Sequence, residues 1–310
     1  MLHKTRYALA VITISSLVAL PAAGQQQAPP PQAVQQAAPA QVPVQVPAGF
    51  QLNAIQQAFL DQVLDAWQLH SGKIATFKCS FERWEYNVAF GPAPNIPLNK
   101  DKGEVSYSRP DKGSFQITQV AKFQAQPNQP GQQPLAQPQG AWVEQPDAIG
   151  EHWVCDGKAV FEYRHNQKQL VERPIPPHLQ GKAIADGPLP FLFGAEAPKL
   201  KQRYWMRIEQ QPNQNEIWLI AKPKAQAQAA DFSEVQVILD RERMLPKAMQ
   251  IQMPNGSRHV YLFDIANSQV NGTFARLQAL FTRPRVPAGW KRVVEDMPVE
   301  QAAQPVQSPR

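Results

Sequence analysis

Apolar and polar positions change rhythm once along this chain. Leu52, Ile55, Phe59, Val63 and Trp67 recur at steps of three and four, which predicts one helix with a single apolar stripe. Asn53 can cap its start and Gly72 can end it. After Gly72 the period drops to two. Phe77, Cys79 and Phe81 alternate with Lys78, Ser80 and Glu82, and Val235, Val237 and Leu239 repeat the pattern. Asp156-Gly157 is a tight-turn signal between residues 151–155 and 158–164, where Ala159, Phe161 and Tyr163 share a face. Pro254-Asn255-Gly256 links 247–253 to 257–265 in the same way. About 11 short strands, joined mostly by hairpins, predict a mainly β fold of the α+β class on one large antiparallel sheet.

The segment from Pro174 to Lys201 breaks the pattern. It holds Leu189-Pro190-Phe191-Leu192-Phe193-Gly194, too interrupted for a strand and too apolar for a solvated loop, so it predicts short helical turns covering the sheet. A strongly curved sheet has a concave face to cover. The large residues expected to point into it are Phe77, Phe81, Val105, Tyr107, Phe115, Trp153, Phe161, Tyr163, Trp218, Met249 and Ile251, with Leu192 from the cover. Two outcomes stay open: a core packed to full density, or an apolar cavity beneath a movable lid.

One position on that face is not apolar. In Gly103-Glu-Val-Ser-Tyr-Ser-Arg-Pro110, alternation puts Val105, Tyr107 and Arg109 together and leaves Glu104, Ser106 and Ser108 on the wet side. A cation there must find a partner, reach the rim or guard an opening.

Composition divides the chain further. Residues 1–24 have a basic start (Lys4, Arg6), an apolar run from Ala8 to Leu20 and small residues before Gln25, the pattern of a cleaved secretory signal. Residues 25–50 are a linker rich in Gln, Pro and Ala, without charge, expected to be disordered. The folded domain is expected over 51–295, with a Gln/Pro-rich loop inserted at 124–139 and a disordered tail at 296–310. Loss of two cations with the signal lowers the net charge of +6 to +4. No basic run with interleaved aromatics appears, which argues against nucleic acid; the mild positive charge suits transient contact with an anionic membrane surface. Export permits a disulfide between Cys79 and Cys155, while two buried free thiols acting as small hydrophobes remain the alternative.

The order of these pieces resembles the LolA-like family of periplasmic lipoprotein carriers, from about Leu60 to about Val293. The segments that carry it are Ile74 to Phe81, Gly103 to Pro110, Cys155-Asp156-Gly157-Lys158 with Phe161 and Tyr163, Leu189-Pro190-Phe191, Leu219 to Lys224, and Asn255-Gly256-Ser257 with Phe263. The tether and the insertion are similar to exported LolA-like domains of planctomycete-type bacteria. The resemblance implies a half-open, curved antiparallel β-barrel with an N-terminal helix and short lid helices over an apolar cavity that takes lipoprotein acyl chains or lipid. It also implies that Arg109, in the family's Arg-Pro pair, gates the lid; three residues after that proline the family's aromatic is replaced by Gly113, with Phe115 the nearest substitute.

Catalytic motifs are thin. There is no Gly-x-Ser-x-Gly elbow, His-Glu-x-x-His pair or phosphate-binding glycine loop, and His152 falls on the strand face opposite Cys155. No two histidines lie at metal-ligand spacing. The expectation is therefore a periplasmic or otherwise exported, monomeric, non-enzymatic protein without cofactor or metal, which carries lipid or acyl chains. The alternative is an interaction or sensor domain with a packed barrel that meets other envelope proteins.

Overall fold

A computed structural model describes residues 45–126, 138–178, 180–181, 196–210, 213–272 and 279–296. The first element is helix α1, Ala54–Ser71. Asn53 accepts from the Gln56 N–H at 2.9 Å, and the Gln56 side chain accepts from the Asn53 N–H at 3.0 Å. This capping box satisfies two donors that a helix start otherwise leaves free. The buried stripe is Leu60, Val63, Leu64, Trp67 and Ser71. It starts later than the sequence spacing predicts: Ile55 is 82% and Phe59 41% exposed. Just before α1, Phe50 is buried and its N–H donates to Pro47 O at 3.0 Å.

Fourteen strands follow among the described residues, more than the expected 11. They are β1 (Thr76–Tyr86), β2 (Asn99–Ser108), β3 (Lys112–Ala125), β4 (Gly140–Glu144), β5 (His152–Asp156), β6 (Ala159–Arg164) and β7 (Gln169–Pro174), then β8 (Tyr204–Glu209), β9 (Glu216–Pro223), β10 (Glu234–Asp240), β11 (Pro246–Gln252), β12 (Arg258–Phe263), β13 (Gln269–Val270) and β14 (Lys291–Val294). Short helices α2 (Ala197–Arg203) and α3 (Gln226–Asp231) precede β8 and β10. All strands join one open sheet in the order β14-β7-β6-β5-β3-β2-β1-β12-β11-β10-β9-β8, with β13 added to β1 and β4 to β3. Every pairing is antiparallel except β14 with β7, which is parallel.

The predicted turns form. At Asp156-Gly157 the Asp156 carboxylate accepts from the N–H groups of Lys158 and Ala159, both at 2.8 Å. Gly157 has φ +88°, and a Cβ there would lie 2.7 Å from an Asp111 carboxylate oxygen, so both backbone and space require glycine. At Pro254-Asn255-Gly256 the Asn255 carboxamide oxygen accepts from the Ser257 N–H at 2.9 Å, and Gly256 has φ +86°.

One face of the sheet holds the main core. Phe77, Cys79 and Phe81 pack with Val105, Tyr107, Phe115 and Ile117, and with Leu219, Val237 and Met249 from the other wing. Leu60, Val63, Leu64 and Trp67 of α1 and Ala197 and Leu200 of α2 fill the middle of this cluster. The helix is about 27 Å long. It touches β8 at one edge of the sheet, while Arg109 at the end of β2 bonds its last turn, so the sheet bends around it. A smaller cluster of Ala159, Phe161 and Leu170 lies at the other wing.

Candidate functional site

Seven of the predicted inward residues come together on the helix face: Phe77, Phe81, Val105, Tyr107, Phe115, Met249 and Ile251 are all buried in the main core. Phe81 stacks on Phe115 at 4.9 Å between ring centroids, and Phe115 on the half-buried Trp153 at 5.6 Å. These rings and the buried side chains of α1 belong to one continuous core cluster.

Three predicted inward residues face the other way. Phe115 pairs with Trp153 and Trp153 with Glu162, which puts Glu162 on the helix face and Phe161 and Tyr163 on the reverse. There Phe161 packs with Leu170, and Tyr163 stacks on His152 at 4.2 Å. Trp218 is also on the reverse, because Ile217 and Leu219 are the core residues of β9; its indole N–H donates to Glu216 at 3.0 Å. Leu192 and most of the predicted cover lie outside the described residues.

Arg109 lies just past β2 and is exposed. Its guanidinium donates to the carbonyls of Ser71, at 3.2 Å, and Gly72. A helix end presents unsatisfied carbonyls and partial negative charge, and a cation there stabilises it. Burial pushes the neighbouring Tyr107 phenol above its ordinary range. The two thiols are free and buried. Cys79 is on β1 and Cys155 on β5, with β2 and β3 between. That separation is about 14 Å, against a bonding limit of about 7 Å, so of the two alternatives the free thiols are the ones found. Burial raises Cys79 to about 12 and Cys155 to about 11, which leaves both unreactive.

The helix face becomes polar at one end. Arg83 donates to Asp101 at 2.8 and 3.2 Å and to Glu151 at 2.8 Å. Burial raises the Asp101 carboxyl despite this pairing, and raises Tyr261 to about 12. His259 is lowered, first by burial and then by Arg83. Among the described residues no group of three His, Cys, Asp or Glu could hold a metal ion.

The feature that sequence reasoning missed is a groove of about 390 Å³ beside edge strand β8. Phe50, Leu52, Leu60, Tyr204, Trp205 and Met206 give it an apolar floor, and Lys201 and Lys224 stand on its rim. The Lys224 ammonium donates to Lys201 O at 2.7 Å and sits 4.2 Å from the Trp205 ring centroid; burial lowers its pKa. Lys201 pairs with Asp61 at 3.0 Å. Its volume falls in the range of small-molecule sites, and its lining mixes apolar and charged side chains. Its residues come from three distant stretches of chain, and the adjacent aromatics Tyr204-Trp205 were the one local signal.

No model of a known protein family matches the chain, and no curated protein matches it in sequence. Similar solved structures include an uncharacterised conserved protein from Thermus thermophilus, with TM-score 0.39 and 12% identity over 76% of this chain and 99% of that one. A LolA superfamily protein from Nitrosomonas europaea has TM-score 0.33 and 9% identity over 71% of this chain and 97% of that one. The MucA/MucB complex of Pseudomonas aeruginosa gives TM-score 0.35 and 10% identity, over 69% of this chain and 57% of the matched one.

Proposed function

We propose that this chain is an exported, non-enzymatic binding protein for amphiphiles with an acyl chain and an anionic head. The observation that carries the reading is the groove beside β8, with apolar side chains from Phe50 to Met206 on its floor and two lysines on its rim. An acyl chain would cover the floor, gaining roughly 0.8 kcal/mol per buried methylene. An anionic head would meet Lys224, whose ammonium is partly desolvated. The test is titration of the purified chain with a fluorescent fatty acid, with mass spectrometry of any lipid that co-purifies. Saturable binding near one per chain is expected, weakened about tenfold or more by Met206→Glu, which places a charge in the floor. Absence of saturable binding, together with absence of co-purifying lipid, would sink the reading.

A second reading is an interaction domain with a packed interior. It is favoured by the continuous core cluster that the sheet shares with α1, where Trp67 is 1% exposed. The two readings separate on the same titration, since a packed domain without a ligand groove gives no saturable signal.

A further inference from the structure

The turn between β1 and β2 carries the exposed apolar pair Val88, at 70%, and Phe90, at 80%. This is not a slack loop. The Asn87 carboxamide oxygen accepts from the N–H groups of Ala89 and Phe90 at 3.0 and 2.9 Å. Gly91 N–H donates to Asn87 O, Leu98 N–H to Glu85 O, and Val88 N–H to the Ser257 hydroxyl. Prolines 92, 94 and 97 stiffen the return. The fold therefore holds two greasy side chains out in water.

Behind them is a second tier. Trp84 and Tyr86 of β1 pair with Lys100 of β2 and Arg258 of β12, on the sheet face opposite the main core. The Lys100 ammonium lies 3.6 Å from the Trp142 ring centroid and 4.7 Å from that of Trp84. The Arg258 guanidinium lies 3.8 Å from the Tyr86 centroid. Both ends are tied to the turn: Trp142 Nε1 donates to Pro97 O at 3.0 Å, and Arg258 to Pro94 O at 3.2 Å. Among the described residues neither cation is in a salt bridge, and Glu82 on the same face accepts the Trp84 indole at 3.4 Å.

We infer that this turn docks the protein on an anionic lipid bilayer. From the tip inward come apolar side chains and then a tier in which aromatic rings and cations lie side by side. A leaflet approached from its interior presents matching partners: hydrocarbon, then the interface with its phosphates. Tryptophan and tyrosine favour the interface, and each basic side chain near an anionic surface adds attraction that salt screens. Phe90 and Val88 enter the acyl layer while Lys100 and Arg258 meet lipid phosphate. The surface is separate from the groove, since β1 and β8 stand five places apart in the sheet.

The test is co-sedimentation of the full chain with vesicles of phosphatidylglycerol and phosphatidylethanolamine, and with vesicles of phosphatidylcholine alone. Binding to the first set, weakened by salt, is expected. The pair Val88→Ser and Phe90→Ser should lower it about tenfold or more, with an unchanged melting temperature and unchanged fatty-acid binding. The pair Lys100→Gln and Arg258→Gln should remove the preference for phosphatidylglycerol and the salt dependence. Undiminished binding by the serine pair would overturn the inference, as would equal binding to both vesicle sets or binding to neither. Capture of a protein through this turn, without vesicle binding, would likewise overturn it.

Discussion

Single side chains hold this fold at places where backbone or charge would otherwise be left unsatisfied. Arg109 closes the last turn of α1. Its replacement by leucine should cost about 1 kcal/mol of stability in chemical denaturation, and lysine should recover part of that, because it restores the charge but not the fork. His152 is a second such place. Burial holds its pKa at about 4, with a smaller push from His165, against 6.5 for the free side chain. Tyr163 stacks on it, and Trp290 meets the Tyr163 and His165 rings edge-on. The folded state keeps His152 neutral while the unfolded chain protonates near 6.5. Its contribution is therefore complete above pH 6.5 and fades as the pH falls towards 4, by roughly 1 kcal/mol once solvent screening is allowed for. Denaturant midpoints across that range should flatten in His152→Gln relative to the parent.

At the scale of elements, the alternation of apolar residues was enough to find most strands, the leading helix and the Asp156-Gly157 turn. Period alone says which residues share a face, not which side of the sheet that face is on. Ala159, Phe161 and Tyr163 do share a face, but it is the reverse one. Pairing across the Asp156-Gly157 turn fixes this, and Phe281, far along the chain, is the other buried ring at this wing. Trp218 was misread for a different reason: Ile217-Trp218-Leu219-Ile220 is apolar at four consecutive positions and carries no parity. The groove could not be read at all, since it exists only where residues 46–60 meet 201–206 and 224. Two substitutions probe the helix. Asn53→Ala removes one half of the capping box and should cost about 1 kcal/mol. Trp67→Ala empties the centre of the core and should cost about 3–5 kcal/mol. Thermal melts that rank these two in the opposite order would contradict the placement of α1 at the heart of the fold.

For the molecule as a whole, the sheet is a single open surface with two ends. At one end β8 borders the groove, and the segment before α1 reaches it through Phe50, beneath Arg207 and Lys222 at 5.5 and 5.6 Å from its ring. A groove made by so many separate segments should stabilise the entire domain when filled. Saturating fatty acid at a hundred times its dissociation constant is expected to add about 2.7 kcal/mol to the unfolding free energy, read as a rise in denaturant midpoint.

At the opposite end the short strand β14 lies along β7, clasped by Arg283 and Arg292 on Glu172 and by Glu295 on Arg164 and Arg173. Those four residues of strand act as a bung over a row of backbone donors and acceptors that would otherwise invite another chain. A polypeptide cut after Phe281 should still fold its core, yet stick to copies of itself through the bared margin of β7. Light scattering of the shortened chain would reveal growing assemblies where the intact one stays small.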